Sequence, residues 1–308
     1  MTKIAVTGGT GFIGKTLLLA LAEKGYQVKA LENNTPVARH KNITPVKGSL
    51  NDAQALQNLV KGCDAIVHGA GLVSTRQNQQ FYEVNTEGTR RLAQVASYEG
   101  RPRFLLVSSL AAREGELCHY GNSKKQAETI LQAFPDLSWD VIRPPAVYGP
   151  EDKQFLTLLK MVKAGRVFLP SEKARASLLY VDDLVSAICA WVESGSCRHK
   201  IYEIHDGVEN GYLWREVVGY AAEALSVQPK LTVPPKFALW GVAYLSLFSG
   251  FVTRKTPMLS PEKMRQVSHP DWVVKGAEFN TDFNWKSQTQ AQKGFASTVN
   301  WYRAQHWL

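Results

Sequence analysis

The segment Thr7-Gly8-Gly9-Thr10-Gly11-Phe12-Ile13-Gly14 (TGGTGFIG) is the most informative stretch of this chain. It follows a β-rich run, Lys3–Thr7, and opens a helical pattern over Ile13–Lys24. In such a turn the first glycine permits the tight bend, the second lets backbone approach a pyrophosphate, and the third lets the helix pack on the strand. The helix N-terminus adds unpaired N–H groups for phosphate. We therefore predict a dinucleotide site that includes Gly8, Gly11, Phe12, Ile13 and Gly14.

Around this turn, the first 150 residues alternate β-rich and helical segments. The predicted strands are Lys3–Thr7, Tyr26–Glu32, Ile43–Lys47, Ala65–His68, Phe104–Ser108 and Trp139–Ile142. The predicted helices are Ile13–Lys24, Ala53–Lys61, Gln80–Tyr98 and Asn122–Phe134. Such alternation predicts βαβ units, and therefore an α/β fold of the Rossmann type, a doubly wound parallel sheet covered on both faces.

Beyond Pro150 the alternation loosens, which predicts a smaller C-terminal substrate lobe. The segments predicted there are helices Gln154–Ala164, Asp182–Glu193, Leu213–Leu225 and Gln290–Gln305, and strands Ser177–Val181 and Lys200–His205. We assign residues 1–150 to a dinucleotide-binding domain. Residues 151–308 form mainly the substrate-binding lobe, with some elements returning to the main sheet.

The composition is that of an ordinary soluble globular protein, with 308 residues, 44% of them hydrophobic and 20% charged. The four cysteines show neither a CxxC pair nor a His/Cys ligand spacing, so we expect free thiols in a reducing compartment and no metal site. The glycines at 8, 9 and 11 interrupt the apolar run that a signal peptide needs. A cytoplasmic location is the resulting expectation.

The net charge of +9 is spread evenly, with +5 in residues 1–150 and +4 in the rest. Basic runs are no longer than two residues, and recognisable DNA- or RNA-binding motifs are absent from the sequence. We therefore expect a small-molecule substrate and no nucleic-acid partner. Anionic substrates and anionic lipid remain open.

Glu32 ends the second predicted strand and is followed by Asn33. A carboxylate at this position accepts hydrogen bonds from the adenosine ribose diol and repels a 2′-phosphate, which favours NAD. Arg39 and Lys41 follow closely in the sequence and weaken the charge argument, so NADP stays as the alternative.

Tyr120 and Lys124 are four residues apart at the start of a predicted helix, so both side chains lie on one helical face. The pKa of a free tyrosine is about 10, and a nearby ammonium favours the phenolate. Ser108 and Ser109 follow an apolar strand, at the sheet edge where open α/β sheets bind ligands. This combination is typical of general acid/base chemistry on a hydroxyl or carbonyl group.

Seven motifs in order resemble the extended branch of the short-chain dehydrogenase/reductase superfamily, the NAD-dependent epimerases, dehydratases and related dehydrogenases. The resemblance covers most of the chain. Besides TGGTGFIG, the motifs are HGAG at 68–71, NTEGT at 85–89, VSS at 107–109, YGNSK at 120–124, RPPAVYGP at 143–150 and YVDDLVSAI at 180–188.

The resemblance implies catalytic roles for three residues. Tyr120 would be the general acid/base. Lys124 would bind the nicotinamide ribose and tune Tyr120. Ser109, rather than Ser108, would hydrogen-bond the reacting oxygen.

The resemblance also implies further cofactor contacts. Gly69 and Ala70 would line the middle of the cofactor, and Pro144 would border the nicotinamide. Near the adenine the family usually has an acidic residue, whereas this chain has Ser49-Leu50. Adenine contacts through these two residues are therefore expected to differ from those of the family.

The resulting interpretation is an NAD(P)-dependent oxidoreductase that transfers hydride at a carbinol or carbonyl carbon, acting on a bulky apolar alcohol or ketone. The alternatives are a nucleotide-sugar epimerase or dehydratase, and a non-catalytic cofactor-binding subunit. The short connection between Ser109 and Tyr120 leaves little chain to hold a nucleotide sugar. Arg175 argues the other way, because sugar-nucleotide relatives use an arginine near this place to hold the diphosphate.

Residues 237–253 (FALWGVAYLSLFSGFVT) contain no charged residue, and Lys236, Arg254 and Lys255 flank them. The segment is at the lower limit for a membrane span and is diluted by glycine and serine. It is consistent with a buried helix of the substrate lobe, with an apolar lid, or with peripheral membrane contact. The oligomeric state is open, a homodimer included.

Overall fold

The computed structural model describes residues 2–169, 171–235 and 261–308. These residues form two compact units. The first contains the described residues of 1–144, 185–203 and 277–285, and the second contains those of 145–184, 204–276 and 286–308. The chain therefore leaves the first unit after Pro144 and returns to it twice.

The first unit is built on a seven-stranded sheet whose neighbouring strands all pair in parallel. Its strands are β1 (Lys3–Thr7), β2 (Gln27–Glu32), β3 (Ile43–Lys47), β4 (Ala65–His68), β5 (Arg103–Val107), β6 (Trp139–Arg143) and β11 (Ile201–Glu203). The spatial order is β11-β6-β5-β4-β1-β2-β3. This order confirms the predicted doubly wound Rossmann-type fold.

The strand order reverses at β1, which lies between β2 and β4. In doubly wound sheets the ligand crevice opens at such a reversal, beyond the carboxyl ends of the strands. The turn at Gly8 follows β1, and Gly69 follows β4, so both predicted cofactor segments lie at this edge. All four residues of β4 are fully buried, as expected for a central strand covered on both faces.

The helices of the first unit lie close to the predicted positions, apart from a short helix at Glu278–Asp282 that was not predicted. They are α1 (Phe12–Glu23), α2 (Ala53–Val60), α3 (Gln79–Phe81), α4 (Gly88–Tyr98), α5 (His119–Gln132), most of α7 (Val181–Ser194) and α10 (Glu278–Asp282). The predicted continuous helix Gln80–Tyr98 is instead interrupted by a π-helical turn, Tyr82–Glu87. This wider turn accommodates Asn85 and Thr86, whose side chains hydrogen-bond to Ser123 at 2.9 and 3.0 Å.

The second unit combines short strand pairs with helices. Its elements are β7 (Ala146–Tyr148), α6 (Lys153–Lys163), β8 (Arg166–Phe168), β9 (Arg175–Ala176), β10 (Leu178–Tyr180), β12 (Tyr212–Leu213), α8 (Trp214–Leu225), β13 (Lys230–Thr232), α9 (Pro261–Ser268), β14 (Asp271–Trp272) and α11 (Ala291–Ala304). The predicted strand Ser177–Val181 corresponds to β10, and the separate short strand β9 directly precedes it in a different sheet. β9 pairs with β12 and β14, whereas β10 pairs with β7. The Ser177 hydroxyl, between β9 and β10, accepts a hydrogen bond from Val274 N at 3.0 Å.

Within the described ranges, no helix is both long enough and apolar enough to cross a bilayer. The apolar segment 237–253 and the basic residues flanking it lie outside the described residues.

Candidate active site

The glycine turn after β1 is closely packed against the start of the segment after β4. Gly8 has φ of +79°, and a Cβ on it would lie 2.6 Å from Ala70 N. A Cβ on Gly14 would lie 2.0 Å from Gly8 O. Larger side chains are therefore excluded at both positions. These contacts meet the requirements of a dinucleotide-binding turn, because backbone alone occupies the crevice.

Helix α1 presents its N-terminus at this turn. Its N-cap residue is Gly11, and within the described residues no side chain caps it. The first backbone N–H groups of the helix, those of Phe12, Ile13 and Gly14, therefore have no partner within the helix and give its N-terminus a partial positive charge. A pyrophosphate is the group that this end suits. The residues present thus fit NAD.

Buried His68 links the ends of β1 and β4 to the helix layer. Its Nδ1 lies 2.6 Å from Thr7 Oγ1 and its Nε2 lies 3.0 Å from Thr89 Oγ1. Thr89 Oγ1 donates its own proton to Asn85 O at 2.7 Å, so His68 Nε2 carries the ring proton and Nδ1 accepts from Thr7. Thr7 Oγ1 in turn accepts from Ala70 N at 3.2 Å. This chain of hydrogen bonds fixes the predicted cofactor segment at Gly69 and Ala70 (Gly69 N also donates to Thr7 O at 3.1 Å).

Complete burial lowers the pKa of His68 to about 3, with a smaller contribution from the Lys124 charge. The unfolded chain therefore binds a proton near pH 6.5 that the folded chain does not. We expect the free energy of unfolding to fall below pH 6.5, by about 1.4 kcal/mol per pH unit from this group. Denaturant titrations between pH 7 and 5 measure the slope. The slope should be smaller for His68→Asn and unchanged for exposed His306→Gln. Equal slopes for all three proteins would contradict the assignment.

Glu32 ends β2, as predicted, but both of its carboxylate oxygens have partners inside the protein. Oε2 accepts a hydrogen bond from Val37 N at 2.8 Å, and Oε1 pairs with Lys47 Nζ. The Lys47 hydrogen bond, followed by the Val37 hydrogen bond, lowers the pKa of Glu32. Glu32 is buried while Lys47 is largely exposed. The Glu32 charge, which the sequence analysis expected to favour NAD over NADP, is therefore compensated by Lys47 on β3.

We expect NADH to bind more tightly than NADPH, and the preference to widen in Lys47→Gln. The substitution leaves the Glu32 charge uncompensated and removes a cation that attracts a 2′-phosphate. The ratio of dissociation constants should increase about threefold to tenfold. Fluorescence titrations of the wild type, Lys47→Gln and the control Lys61→Gln measure it. Equal affinities for the two nucleotides in the wild type would refute the expected NAD preference.

Ser49 and Leu50, predicted at the adenine side, have different surroundings. Ser49 Oγ accepts from Asn51 N at 3.2 Å and so stabilises the turn before α2. Leu50 packs against the hydrophobic core, and a Cβ on Gly88 would lie 2.7 Å from its Cδ1. Ser49 is half-buried. Their contact with a cofactor stays a prediction.

Tyr120 and Ser109 are close enough to form a hydrogen bond. Tyr120 lies in the first turn of α5, half-buried, and its ring centroid is 6.0 Å from that of Phe81. Burial raises the pKa of Tyr120, whereas the hydrogen bond with Ser109 lowers it. Ser109 Oγ also accepts from Ala111 N at 3.2 Å. Ser109 thus both caps a short 3₁₀ turn and interacts with the phenol of Tyr120.

Lys124 lies one turn beyond Tyr120 but donates to a different group. Its Nζ is 3.0 Å from Val107 O, and the side chain is buried. Burial lowers its pKa to about 8, and the charge of Glu128 opposes that shift. A Cβ on Gly71 would lie 3.1 Å from Nζ, so the glycine of the HGAG motif leaves space beside the ammonium. The direct lowering of the Tyr120 pKa by Lys124, expected from the spacing, is not among the causes acting on Tyr120 in this structure.

A buried network of charged residues holds the elements around Ser109 and Lys124 together. Ser108 donates to Glu128 Oε1, and Arg143 forms a bidentate pair with Glu128 at 2.9 and 2.6 Å. Arg143 also lies 3.5 Å from Glu203 on β11. The network joins the ends of β5, β6 and β11 to helix α5. Because the Ser108 hydroxyl is bonded to Glu128, Ser109 is the serine that faces Tyr120.

Sequence reasoning did not identify Glu128, Arg143 or His68 as parts of this arrangement. Glu128 follows Lys124 by four residues, the helical spacing that placed Tyr120 beside Lys124, so it was open to the same argument. Arg143 directly precedes Pro144, which is buried and whose carbonyl accepts from Leu110 N at 2.9 Å.

Arg175 lies on β9 of the second unit. Its Nη1 donates to Asn210 O at 3.0 Å and to Gly211 O at 3.1 Å. Two backbone carbonyls thus hold this nitrogen of the guanidinium. A diphosphate contact through Arg175 stays a prediction.

The Rossmann-type sheet and the glycine turn are the features of a dinucleotide-dependent enzyme. The sequence matches the NAD dependent epimerase/dehydratase family over residues 4–204. The chain therefore belongs to this family, whose cofactor is NAD.

Relatives within the family act on different substrates. A ceramide reductase from Caulobacter vibrioides is 34% identical over 314 residues, covering 99% of this chain and 96% of the relative. A UDP-glucose 4-epimerase from Vibrio cholerae is 30% identical over 329 residues, covering 96% and 94%. The solved structure of MoeE5 with UDP-glucuronic acid and NAD is similar at a TM-score of 0.76 and 21% identity, covering 99% of this chain and 100% of that one. That structural similarity shows a common fold.

Proposed function

We propose that this enzyme reduces the ketone of a ceramide-type lipid to the secondary alcohol. The observation that carries the proposal is the 34% identity with a ceramide reductase along almost the whole length of both chains. Ceramide has one secondary carbinol next to its N-acyl carbon, so the matching substrate is the lipid in which this carbinol is a ketone. The proposal agrees with the bulky apolar alcohol or ketone expected from the sequence.

Tyr120 supplies the proton in this reaction. Burial raises the pKa of its phenol, so the group is protonated at neutral pH and acts as a general acid toward a carbonyl oxygen. The Ser109 hydroxyl accepts a hydrogen bond from Ala111 N and keeps its own proton, which it donates to the reacting oxygen. When bound in its reduced form, the nicotinamide cofactor supplies the hydride. Addition of hydride to carbon and of the Tyr120 proton to oxygen converts the ketone to the alcohol.

Lys124 places an ammonium group one helical turn beyond Tyr120. Its bond to Val107 O fixes α5 to the end of β5, and the charge of Glu128 favours its protonated form. An ammonium at this place attracts the ribose hydroxyls of a dinucleotide. Proton supply and cofactor binding therefore share one helical turn.

The connection between Ser109 and Tyr120 supports a lipid over a nucleotide sugar. It forms two short 3₁₀ turns, Leu110–Ala112 and Gly115–Leu117, that fold back onto α5. A Cβ on Gly121 would lie 2.5 Å from Ala111 O. Chain that is packed this closely on the helix leaves no long loop here to hold a nucleotide.

The second candidate is a nucleotide-sugar 4-epimerase, favoured by the Vibrio cholerae relative. Thermal shift with NAD present separates the two candidates, because a ligand that binds the native state raises the melting temperature. We expect stabilisation by the ketone form of a short-chain ceramide and none by UDP-glucose. Stabilisation by UDP-glucose that is lost in Arg175→Ala would replace the lipid proposal with the epimerase.

A further inference from the structure

Exposed apolar side chains concentrate on one part of the second unit. Of the eight large hydrophobic residues that are exposed among the described residues, four belong to α6, β8 and the β13 segment, where both α6 and β13 pack on β8. They are Met161, Phe168, Leu231 and Val233, with exposed fractions of 36%, 64%, 40% and 39%. We call Met161 and Phe168, with the cations described next, the β8–β13 surface. Leu231 is the register partner of the buried Val167 and lies on the opposite face of the strand pair. Exposed apolar side chains that cluster in this way mark an interaction site.

The same elements carry several exposed cationic side chains. Lys160, Lys163, Arg166 and Lys230 are all exposed, and none is paired with a carboxylate within the described part of the chain. Residues 153–171 contain four basic residues and no acidic one. The surface therefore combines apolar side chains with uncompensated cations.

The pairing of β8 with β13 brings two of these cations into direct opposition. Arg166 is the register partner of Lys230, and Phe168 is the partner of Thr232. Like charges directly across a sheet destabilise it. Alternate residues of a strand share a face, so both cations lie on the same face as Phe168, while Val167 on the other face is buried. The strand pairing therefore concentrates positive charge on the face that carries Phe168.

The charge identifies the occupant. A second copy of the chain would place this cationic surface against itself in a two-fold dimer, which like-charge repulsion disfavours. An anionic bilayer offers negative charge to the cations and an apolar interior to Phe168. We propose that the β8–β13 surface docks the enzyme on an anionic lipid bilayer. This inference rests on the proposed function, since a ceramide-type substrate resides in a bilayer.

Vesicle flotation tests the docking surface directly. The probes are phosphatidylcholine vesicles with and without phosphatidylglycerol, and the variants are Phe168→Ser and the double variant Arg166→Gln/Lys230→Gln. We expect the wild type to bind only the anionic vesicles, with binding that weakens as salt is added. Each variant should bind about tenfold more weakly. The matched controls are Tyr98→Ser, which replaces an aromatic residue that is 81% exposed on α4, and Lys3→Gln/Lys61→Gln. Both controls should bind as the wild type does.

Several results would overturn the docking proposal. They are equal binding to neutral and anionic vesicles, no binding to either, unchanged binding in both variants, or a change of oligomeric state in the variants instead of a loss of vesicle binding. Turnover of a dispersed short-chain ketone separates this proposal from the proposed function. The docking variants should keep that turnover while losing turnover of the vesicle-borne ketone. Anionic vesicle binding that depends on Phe168 without turnover of either ketone would support docking and contradict the proposed reaction.

Discussion

Tyr120→Phe is expected to lower turnover by a factor of roughly 10²–10⁴ while NADH binding is retained. The substitution removes the phenolic proton that the mechanism delivers to the carbonyl oxygen, but it keeps the ring that packs against Phe81. Single-turnover measurements with the ketone, together with a nucleotide titration, separate chemistry from binding.

Two related variants separate the contribution of Tyr120 to turnover from the contributions of Ser109 and Lys124. Ser109→Ala should reduce turnover less, because it removes one hydrogen bond rather than the proton donor. Lys124→Ala should weaken both NADH binding and turnover. Tyr82→Phe, on the π-helical turn, is the matched control and should retain turnover. Wild-type turnover in Tyr120→Phe would exclude this tyrosine as the general acid.

Glu128→Ala is expected to lower the free energy of unfolding by about 3–5 kcal/mol. The carboxylate is buried and accepts hydrogen bonds from the Ser108 hydroxyl and from Nε and Nη2 of Arg143. Removing it leaves Arg143 with Glu203 at 3.5 Å as its remaining anionic partner in the described structure. Urea denaturation measures the loss.

The exposed pair Glu87–Arg90 provides the comparison for Glu128. Both of its side chains are about half-exposed, and Glu87→Ala should cost about 0–1 kcal/mol. A loss in Glu128→Ala as small as in Glu87→Ala would show that the buried network contributes no more than a surface ion pair. Because Glu128 also favours the protonated form of Lys124, the folded fraction of Glu128→Gln should bind NADH more weakly at pH 8 than at pH 6.

Most of the first unit was predictable because its signals are local. The glycine turn between a strand and a helix, and the alternation that follows it, gave β1 to β6 and their helices within a few residues. The interruption at Tyr82–Glu87 was not predictable from periodicity, since it arises from hydrogen bonds between Asn85, Thr86 and Ser123, which is distant in sequence. The short strand β9, which precedes the predicted strand at Ser177–Val181, likewise depends on pairing with the distant strands β12 and β14.

The candidate site was predictable where motif and geometry coincide. Spacing predicted that Tyr120 and Lys124 lie on one face of α5, and the end of the predicted strand placed Ser108 and Ser109 at the sheet edge where such folds bind ligands. Spacing could not show that Lys47 on β3 pairs with Glu32, or that Lys124 donates to Val107, because these partners are set by strand register and burial. The positive surface on β8 and β13 was hidden for the same reason, since Lys230 is far from the other cations in sequence and meets Arg166 only through strand pairing.

The central claim is NADH-dependent reduction of a lipid ketone by Tyr120, and one turnover experiment tests it. The purified enzyme is incubated with NADH and the ketone form of ceramide in mixed micelles, while NADH absorbance and lipid products are followed together. We expect one NADH oxidised for each ceramide formed, and loss of both signals in Tyr120→Phe. No NADH oxidation with the lipid, together with conversion of UDP-glucose to its 4-epimer in the presence of NAD, would contradict it.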